Sequence, residues 1–431
     1  MPEFLRLSSP GEALLALLGA MPKRSLNTET VNTLHALDRV IVEDVLSPHP
    51  LPEFSRSTMD GYALLARDTF GVSESLPGYL TLIGEVPMGA SPAFELIPGS
   101  CALIHTGGTL PNEADAVIML ENTQRVENIF EGSKSPNRLA SIEIEITHAV
   151  AAGENILQVG EDVAKGKVIL QAGTRIRPAE IGGCMALGII KLRVAIKPKI
   201  GILSSGDEVI NPEFVPLPGQ VRDINSYSLS AMVTQAGGDP ILYGIAPDNL
   251  PVLKNIALKA LKECDMVLIT AGSSASARDM TVEAISSLGT PGVLVHGVNV
   301  RPGKPTILAV CDGKPVIGLP GNPVSALVIA GLFVMPVVEK LLNQKPRPRP
   351  SVHAKLTVNI PSQAGREDWV VVKLIPNNRW KSDKLERPYL ADPVFGKSNL
   401  IFSLAVADGL VRIPMEATGI NAGEEVEVFL F

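Results

Sequence analysis

The sequence predicts a multidomain α/β plus β protein, in which a doubly wound, mostly parallel α/β domain is joined to β-rich domains and a small C-terminal β-domain. Three observations carry this. The chain has 431 residues, more than a single hydrophobic core usually supports. Between Lys197 and Leu342, short apolar runs alternate with helix-periodic ones, as in a parallel sheet with crossover helices. Elsewhere the runs are short, alternating and cut by Gly and Pro, which is how strands and tight turns read.

Composition narrows the class. Hydrophobic residues make up 45% and charged residues 19%, the balance of a soluble globular protein. The formal net charge of -7 and the scarcity of Lys-Arg clusters argue against general nucleic-acid affinity. Cys101, Cys184, Cys264 and Cys311 lie far apart with no CxxC or Cys-His spacing, so buried free thiols in a reducing compartment are expected. With no basic segment and apolar core at the N-terminus, the expected location is cytoplasmic. Ala326 to Val338 is as apolar as a spanning helix, but it is short and carries Gly331 and Pro336, which predicts a buried helix instead.

In chain order, Ser9-Pro10-Gly11-Glu12 has capping-box spacing with proline at the first helical position, and it opens a helix over Ala13 to Met21. A second helix is expected over Glu29 to Leu37. Arg39 to Val45 then turns extended, and Pro48, Pro50 and Pro52 mark a crossing between domains. The runs Tyr79 to Ile83, Cys101 to His105, Ala116 to Leu120 and Ile142 to Ile146 predict strands of a β-rich domain. Glycines at 153, 160, 166 and 173 predict tight turns between very short strands.

The α/β stretch predicts strands at Ile200 to Leu203, Ile241 to Ile245, Met266 to Ile269 and Val316 to Leu319, with extended segments at Gly292 to Val295 and Thr306 to Val310. Helices are expected at Ser226 to Ala236, Leu250 to Cys264, from Thr281, and at Pro323 to Leu342. Lys345-Pro346-Arg347-Pro348-Arg349-Pro350 reads as a stiff linker, followed by β-branched alternation such as Val370 to Leu374 and Glu425 to Phe429. The expected domains are 1–56 with 151–196 (discontinuous, helical and β-turn), 57–150 (β-rich), 197–344 (α/β) and 345–431 (C-terminal β).

Three loops of the α/β stretch suit an anionic ligand: Ser204 to Glu208, Thr270 to Ser274, and Arg301-Pro302-Gly303-Lys304-Pro305 leading to Gly318-Leu319-Pro320-Gly321-Asn322-Pro323. The first two follow apolar runs ended by small residues, as where a parallel sheet offers backbone N–H groups to phosphate at a helix start. Asp207 and Glu208 can hold Mg²⁺ beside a phosphate; the blander alternative is that Asp207 caps a turn. Gly272, Ser273 and Ser274 offer a nest of N–H donors. Arg301 and Lys304 place two cations within one turn, suited to an oxyanion. There is no P-loop, GxGxxG, GxSxG or HExxH, which disfavours nucleotide-fold fingerprints and zinc or serine hydrolase chemistry.

Taken in order, Arg56-Ser57-Thr58-Met59-Asp60-Gly61-Tyr62-Ala63, Gly160-Glu161-Asp162-Val163, Ser205-Gly206-Asp207-Glu208-Val209, Pro302-Gly303-Lys304-Pro305 and Gly318 to Ser325 resemble the molybdopterin molybdenumtransferase family, which includes MoeA and the gephyrin E-domain. The resemblance spans essentially the whole chain. It implies a homodimer of four-domain subunits with an α/β domain of molybdopterin-binding type. The implied reaction takes adenylated molybdopterin and molybdate to molybdenum cofactor with release of AMP, aided by Mg²⁺.

Carried over by position, the implied catalytic residues are Asp60, Glu208, Asp248, Asp279 and Lys304. The implied binding residues are Thr106, Asp162, Ser205, Gly206, Asp207, Gly272, Ser273, Ser274, Arg301, Pro320 and Arg366, with Glu208, Asp248 and Asp279 as metal ligands. The resemblance places the site in a cleft between the α/β domain of one subunit and the β-rich domain of the other. The chain departs from the family pattern at Gly272-Ser273-Ser274-Ala275-Ser276-Ala277, where Gly-Gly-Val-Ser-Val-Gly is usual, and at Arg301, where Lys is usual. Rival readings are a tungsten-inserting variant and a non-catalytic scaffold.

Overall fold

The computed structural model describes residues 7–23, 25–127, 142–271, 275–378 and 387–431. The capping box forms as expected: Ser9 accepts from the Glu12 N–H, Glu12 reaches back to the Ser9 N–H, and the helix runs Pro10–Ala20. This helix packs on the α/β core, where Ala13, Leu17 and Met21 join Leu308, Phe333 and Val337.

The helix expected over Glu29 to Leu37 is not formed. Thr28–Asn32 is a strand paired antiparallel with Lys191–Ala195, followed by a single 3₁₀ turn, Thr33–His35. Thr28, Thr30 and Val31 are β-branched and favour extension, and the pairing partner lies far along the chain, outside any local window. The turn glycines behave as expected, with φ between 74° and 86° at Gly153, Gly160, Gly166 and Gly173.

Residues expected to be β-rich form a six-stranded sheet in the order Ala116–Met119, Gly61–Leu64, Ser100–Ile104, Gly78–Glu85, Ile142–Ile146, Thr123–Glu127. Gly61 sits in a strand flanked on both sides, and a Cβ there would lie 1.9 Å from the Ile118 carbonyl oxygen. Only glycine fits beside Asp60.

The α/β sheet also has six strands, ordered Asp239–Ala246, Lys199–Ser205, Met266–Thr270, Lys314–Leu319, Ile307–Cys311, Pro291–His296. The first four run parallel, Ile307–Cys311 runs against them, and the edge strand Pro291–His296 runs with them again, so the sheet is doubly wound and mostly parallel. Helices cover both faces, and the sheet separates two cores, one around Ile202, Leu268 and Phe333 and the other around Leu203, Ile269 and Ala257. The connection leaving Lys199–Ser205 runs to one edge and that leaving Met266–Thr270 to the other, which makes the gap between these neighbours the topological switch point.

The long apolar helix is Pro323–Ile329 and Met335–Leu341 joined by a π-turn at Ala330–Val334. Pro336 removes the N–H that would reach the Leu332 carbonyl, and the ladder widens just before it. Val328, Ile329, Phe333, Val334, Val337 and Val338 lie in the α/β core, so this segment is a core helix.

The C-terminal strands Ser351–Leu356, Glu367–Pro376, Tyr389–Pro393, Gly409–Ile413 and Glu425–Leu430 close on themselves through the pairing of Glu367–Pro376 with Gly409–Ile413, forming a small barrel. The proline-rich linker is tied down rather than free: Lys345 N–H donates to the Gly173 carbonyl, Arg347 to the Arg175 carbonyl and Arg349 to the Gly331 carbonyl. All four cysteines are free and buried.

Phe333 is wholly buried at the centre of the larger core. Phe333→Ala is expected to cost about 3–5 kcal/mol and Phe333→Leu distinctly less. Urea denaturation followed by far-UV circular dichroism checks both, and equal midpoints for wild type and Phe333→Ala would contradict this packing.

Candidate functional site

Polar side chains gather at the switch point. The strand Lys199–Ser205 ends in Ser204 and Ser205, both buried. The Ser204 hydroxyl lies 2.9 Å from that of Ser226 and 2.9 Å from that of Thr270, so one hydroxyl chain sews two neighbouring strands to the start of the helix Asn225–Ala236. Ser205 Oγ donates to the Thr270 carbonyl at 3.3 Å. Above this floor opens a cavity of about 580 Å³ lined by Ser205, Glu208, Asp223, Asn225, Ala271 and Asn322, among others. Its size is that of a small-molecule site.

The first loop is not the strand-to-helix turn expected of it. After Asp207 and Glu208 the chain forms a short strand, Val209–Ile210, paired parallel with Val221–Arg222, and the helix begins only at Asn225. The Gly206 N–H, expected to face an anion, donates to the Ala246 carbonyl at 3.1 Å. Asp223 does the capping, accepting from the Ser226 N–H at 3.1 Å. Asp223, Asn225 and Ser226 were missed by sequence reasoning. An Asp three residues before Ser226, just ahead of a helix-periodic run, was the available signal.

Acidic groups crowd one edge of the crevice. The Asp248 N–H donates to Asp207 Oδ1 at 3.0 Å, and the Asp248 carboxyl is raised above its ordinary value by burial first, then by the charges of Asp207 and Glu208. The structure therefore brings Asp207, Glu208 and Asp248 together. Asp279 lies one turn into the helix Ala275–Ser286 and is exposed. Gly272, Ser273 and Ser274 lie outside the described residues. No group of three or more His, Cys, Asp or Glu side chains is preformed as a metal site among the described residues.

The cationic residues meet elsewhere. Val300–Arg301 adds to the C-terminal barrel by pairing parallel with Glu367 and Asp368. That register sets Arg301 Nη1 3.7 Å from Asp368 Oδ2, while Arg366 forms a fork on the same carboxylate at 2.7 and 3.1 Å. Lys304 is exposed on the same loop, with no salt-bridge partner among the described residues. Gly303 has φ 118°, and a Cβ there would lie 2.4 Å from the Ile329 side chain, so glycine is required between the cations. Pro320 is buried in the Gly318–Pro323 loop. That loop touches the C-terminal segment through Asn322 Nδ2, which donates to Ser398 Oγ at 3.0 Å.

Asp60 and Thr106 form a third group, on the β-rich sheet. Asp60 Oδ1 accepts from the Thr106 N–H at 2.8 Å and from its hydroxyl at 3.3 Å. His105 lies between Asp60, at 3.7 Å, and Glu85, at 3.1 Å. The Thr106 N–H is the main cause holding the Asp60 carboxyl below its ordinary value. Asp162 stands apart again, on a cavity lined by Lys167, Glu180 and Cys184. Within one chain, then, the described site residues do not share one place: the switch-point cavity is lined by Ser205 and Glu208 but not by Gly206, Asp207, Asp248, Asp279, Pro320, Asp60, Thr106, Asp162, Arg301, Lys304 or Arg366.

Comparison with known proteins follows the same order along the chain. Family profiles match residues 9–188 as the MoeA N-terminal region (domain I and II), 201–340 as a probable molybdopterin binding domain and 353–431 as the MoeA C-terminal region (domain IV). The molybdopterin molybdenumtransferase of Bacillus subtilis is 32% identical, over 94% of this chain and 90% of its own length. The chain belongs to the MoeA family. A molybdopterin molybdenumtransferase of Nostoc sp. is 31% identical over 93% and 88% of the two chains. The crystal structure of the molybdopterin biosynthesis MoeA protein of Pyrococcus horikoshii superposes with a TM-score of 0.82 at 33% identity, covering 99% of this chain and 100% of that one.

Asp248 provides a test of the acidic crowding. A folded-state pKa above the ordinary 3.8 means that folding favours the protonated carboxyl. The associated stability is fully present below pH 3.8 and is lost as pH rises through the raised value. Asp248→Asn is therefore expected to gain stability relative to wild type as pH rises above 3.8, with the difference levelling once pH exceeds the raised value. Denaturation midpoints across that range decide it; a difference independent of pH would mean that Asp248 is not repelled.

Proposed function

We propose that this chain inserts molybdate into adenylated molybdopterin with release of AMP, as part of a homodimer whose subunits share the site. Molybdenum cofactor biosynthesis and the transferase class come with membership of the MoeA family and with relatives named molybdopterin molybdenumtransferase. The observation that supports the finer reading is the segregation of charge: Asp207, Glu208 and Asp248 crowd together by the switch-point crevice, and the guanidinium groups of Arg301 and Arg366 meet on Asp368, with Lys304 exposed on the same loop as Arg301.

The reaction breaks a phosphoanhydride as an oxygen of water or molybdate bonds to phosphorus and AMP departs, so negative charge grows on the leaving phosphate while the tetrahedral oxometalate must be held close. Arg301, Lys304 and Arg366 against the single carboxylate of Asp368 leave an excess of positive charge, which suits a dianion. Glu208 and Asp248, with Asp279, would hold Mg²⁺. A few carboxylates completed by phosphate and water, rather than a closed protein cage, are the usual way that ion is held. Bound there, Mg²⁺ supplies charge neutralisation at the pyrophosphate. Asp207 spends one oxygen on the Asp248 N–H and so holds that loop in place. The Asp60–Thr106 pair, anchored on the β-rich sheet, would complete the site from the partner subunit.

With adenylated molybdopterin as substrate, AMP release is expected to depend on molybdate. Asp248→Ala and Lys304→Ala should each slow it by about 10²–10³-fold. Release that is insensitive to molybdate and to both substitutions sinks the reading.

The shared cleft has a separate test. Asp60→Ala and Lys304→Ala proteins, each inactive alone, should regain about a quarter of wild-type activity after subunit exchange, because half of the random dimers carry one intact site. No recovery, with mixed dimers verified by mass, would place each site within one chain.

A further inference from the structure

Asn225 opens the helix Asn225–Ala236 and lines the switch-point cavity with 8% of its surface exposed. Its Nδ2 donates to the Gly321 carbonyl at 2.8 Å. A carbonyl only accepts, so this bond fixes which way round the amide sits. Oδ1 is then a buried acceptor that no described donor reaches. Asp223, 6% exposed, lines the same cavity and spends Oδ1 on the Ser226 N–H. Together the two side chains make a stretch of wall that offers acceptors. A desolvated acceptor is costly until a donor arrives, so this wall favours an occupant that presents N–H groups.

Resting on the molybdopterin reading of the cavity, we infer that Asp223 and Asn225 recognise the 2-amino-4-oxo edge of the pterin ring. The ring N–H and the amino group lie side by side there, as the paired donors of a guanidinium do, and such a pair matches a carboxylate. The amino group's second N–H is left for Asn225 Oδ1. Adenine fits less well, because its amino group neighbours a ring nitrogen that accepts and would face the Asp223 carboxylate. The ligand's phosphates are excluded from this wall by charge and belong at the other end of the ligand.

The test compares pterin with lumazine, in which an oxo group replaces the 2-amino group, using the probes' own fluorescence and the full-length protein. Wild type is expected to bind pterin about tenfold more tightly than lumazine. Asn225→Ala and Asp223→Asn should each abolish that preference. A purely structural role would weaken both probes alike and keep the preference; that outcome overturns the inference, as does a wild type without preference. A wild type that binds neither probe overturns the pterin reading itself, and the inference with it. Should Asn225→Ala fail to fold by circular dichroism, Asp223→Asn decides alone.

Discussion

A parallel strand cannot be followed directly by its neighbour; the chain must cross over the sheet first. Because Lys199–Ser205 lies inside the sheet, with Asp239–Ala246 on one side and Met266–Thr270 on the other, the crossovers leave its two flanks in opposite directions. Among the described residues, no crossover spans the gap between Ser205 and Thr270. The cavity, the hydroxyl chain beneath it and the approach of the Gly318–Pro323 loop all follow from that one reversal, and small side chains at the strand ends keep it open.

A second constraint is the addition of Val300–Arg301 to the C-terminal barrel. Two residues of backbone pairing bring a loop of the α/β domain to Asp368, and with it the guanidinium of Arg301 to that of Arg366. Two cations held on one nearly buried carboxylate keep a positive excess at a defined place. The crevice and the cationic cluster are thus separate products of separate pairings.

Much of the architecture was legible in the primary structure. The capping box at Ser9, the turn glycines, and the alternation from Lys197 to Leu342 are local signals, set by φ/ψ preference and periodicity within a few residues. The motif set around Asp60, Ser205 to Glu208, and Arg301 to Lys304 was legible for the same reason, since each is contiguous. The failures were equally physical. Thr28–Asn32 depends on a distant strand for its hydrogen bonds. Gly206 N–H was assigned to a ligand, although Ala246 claims it.

By itself the sequence determined the capped first helix, the turn glycines, the alternation of strands and helices from Lys197 to Leu342, and which family's motifs are carried in order. Those properties depend on neighbours within a turn or a pleat. Only the tertiary structure decided that Asp207, Glu208 and Asp248 crowd one another while Arg301 and Arg366 share Asp368, and that Asn225 keeps an unanswered acceptor. Each of these depends on through-space distance and loss of solvent, which residues far apart in the chain acquire only when the sheet order and the barrel register bring them together.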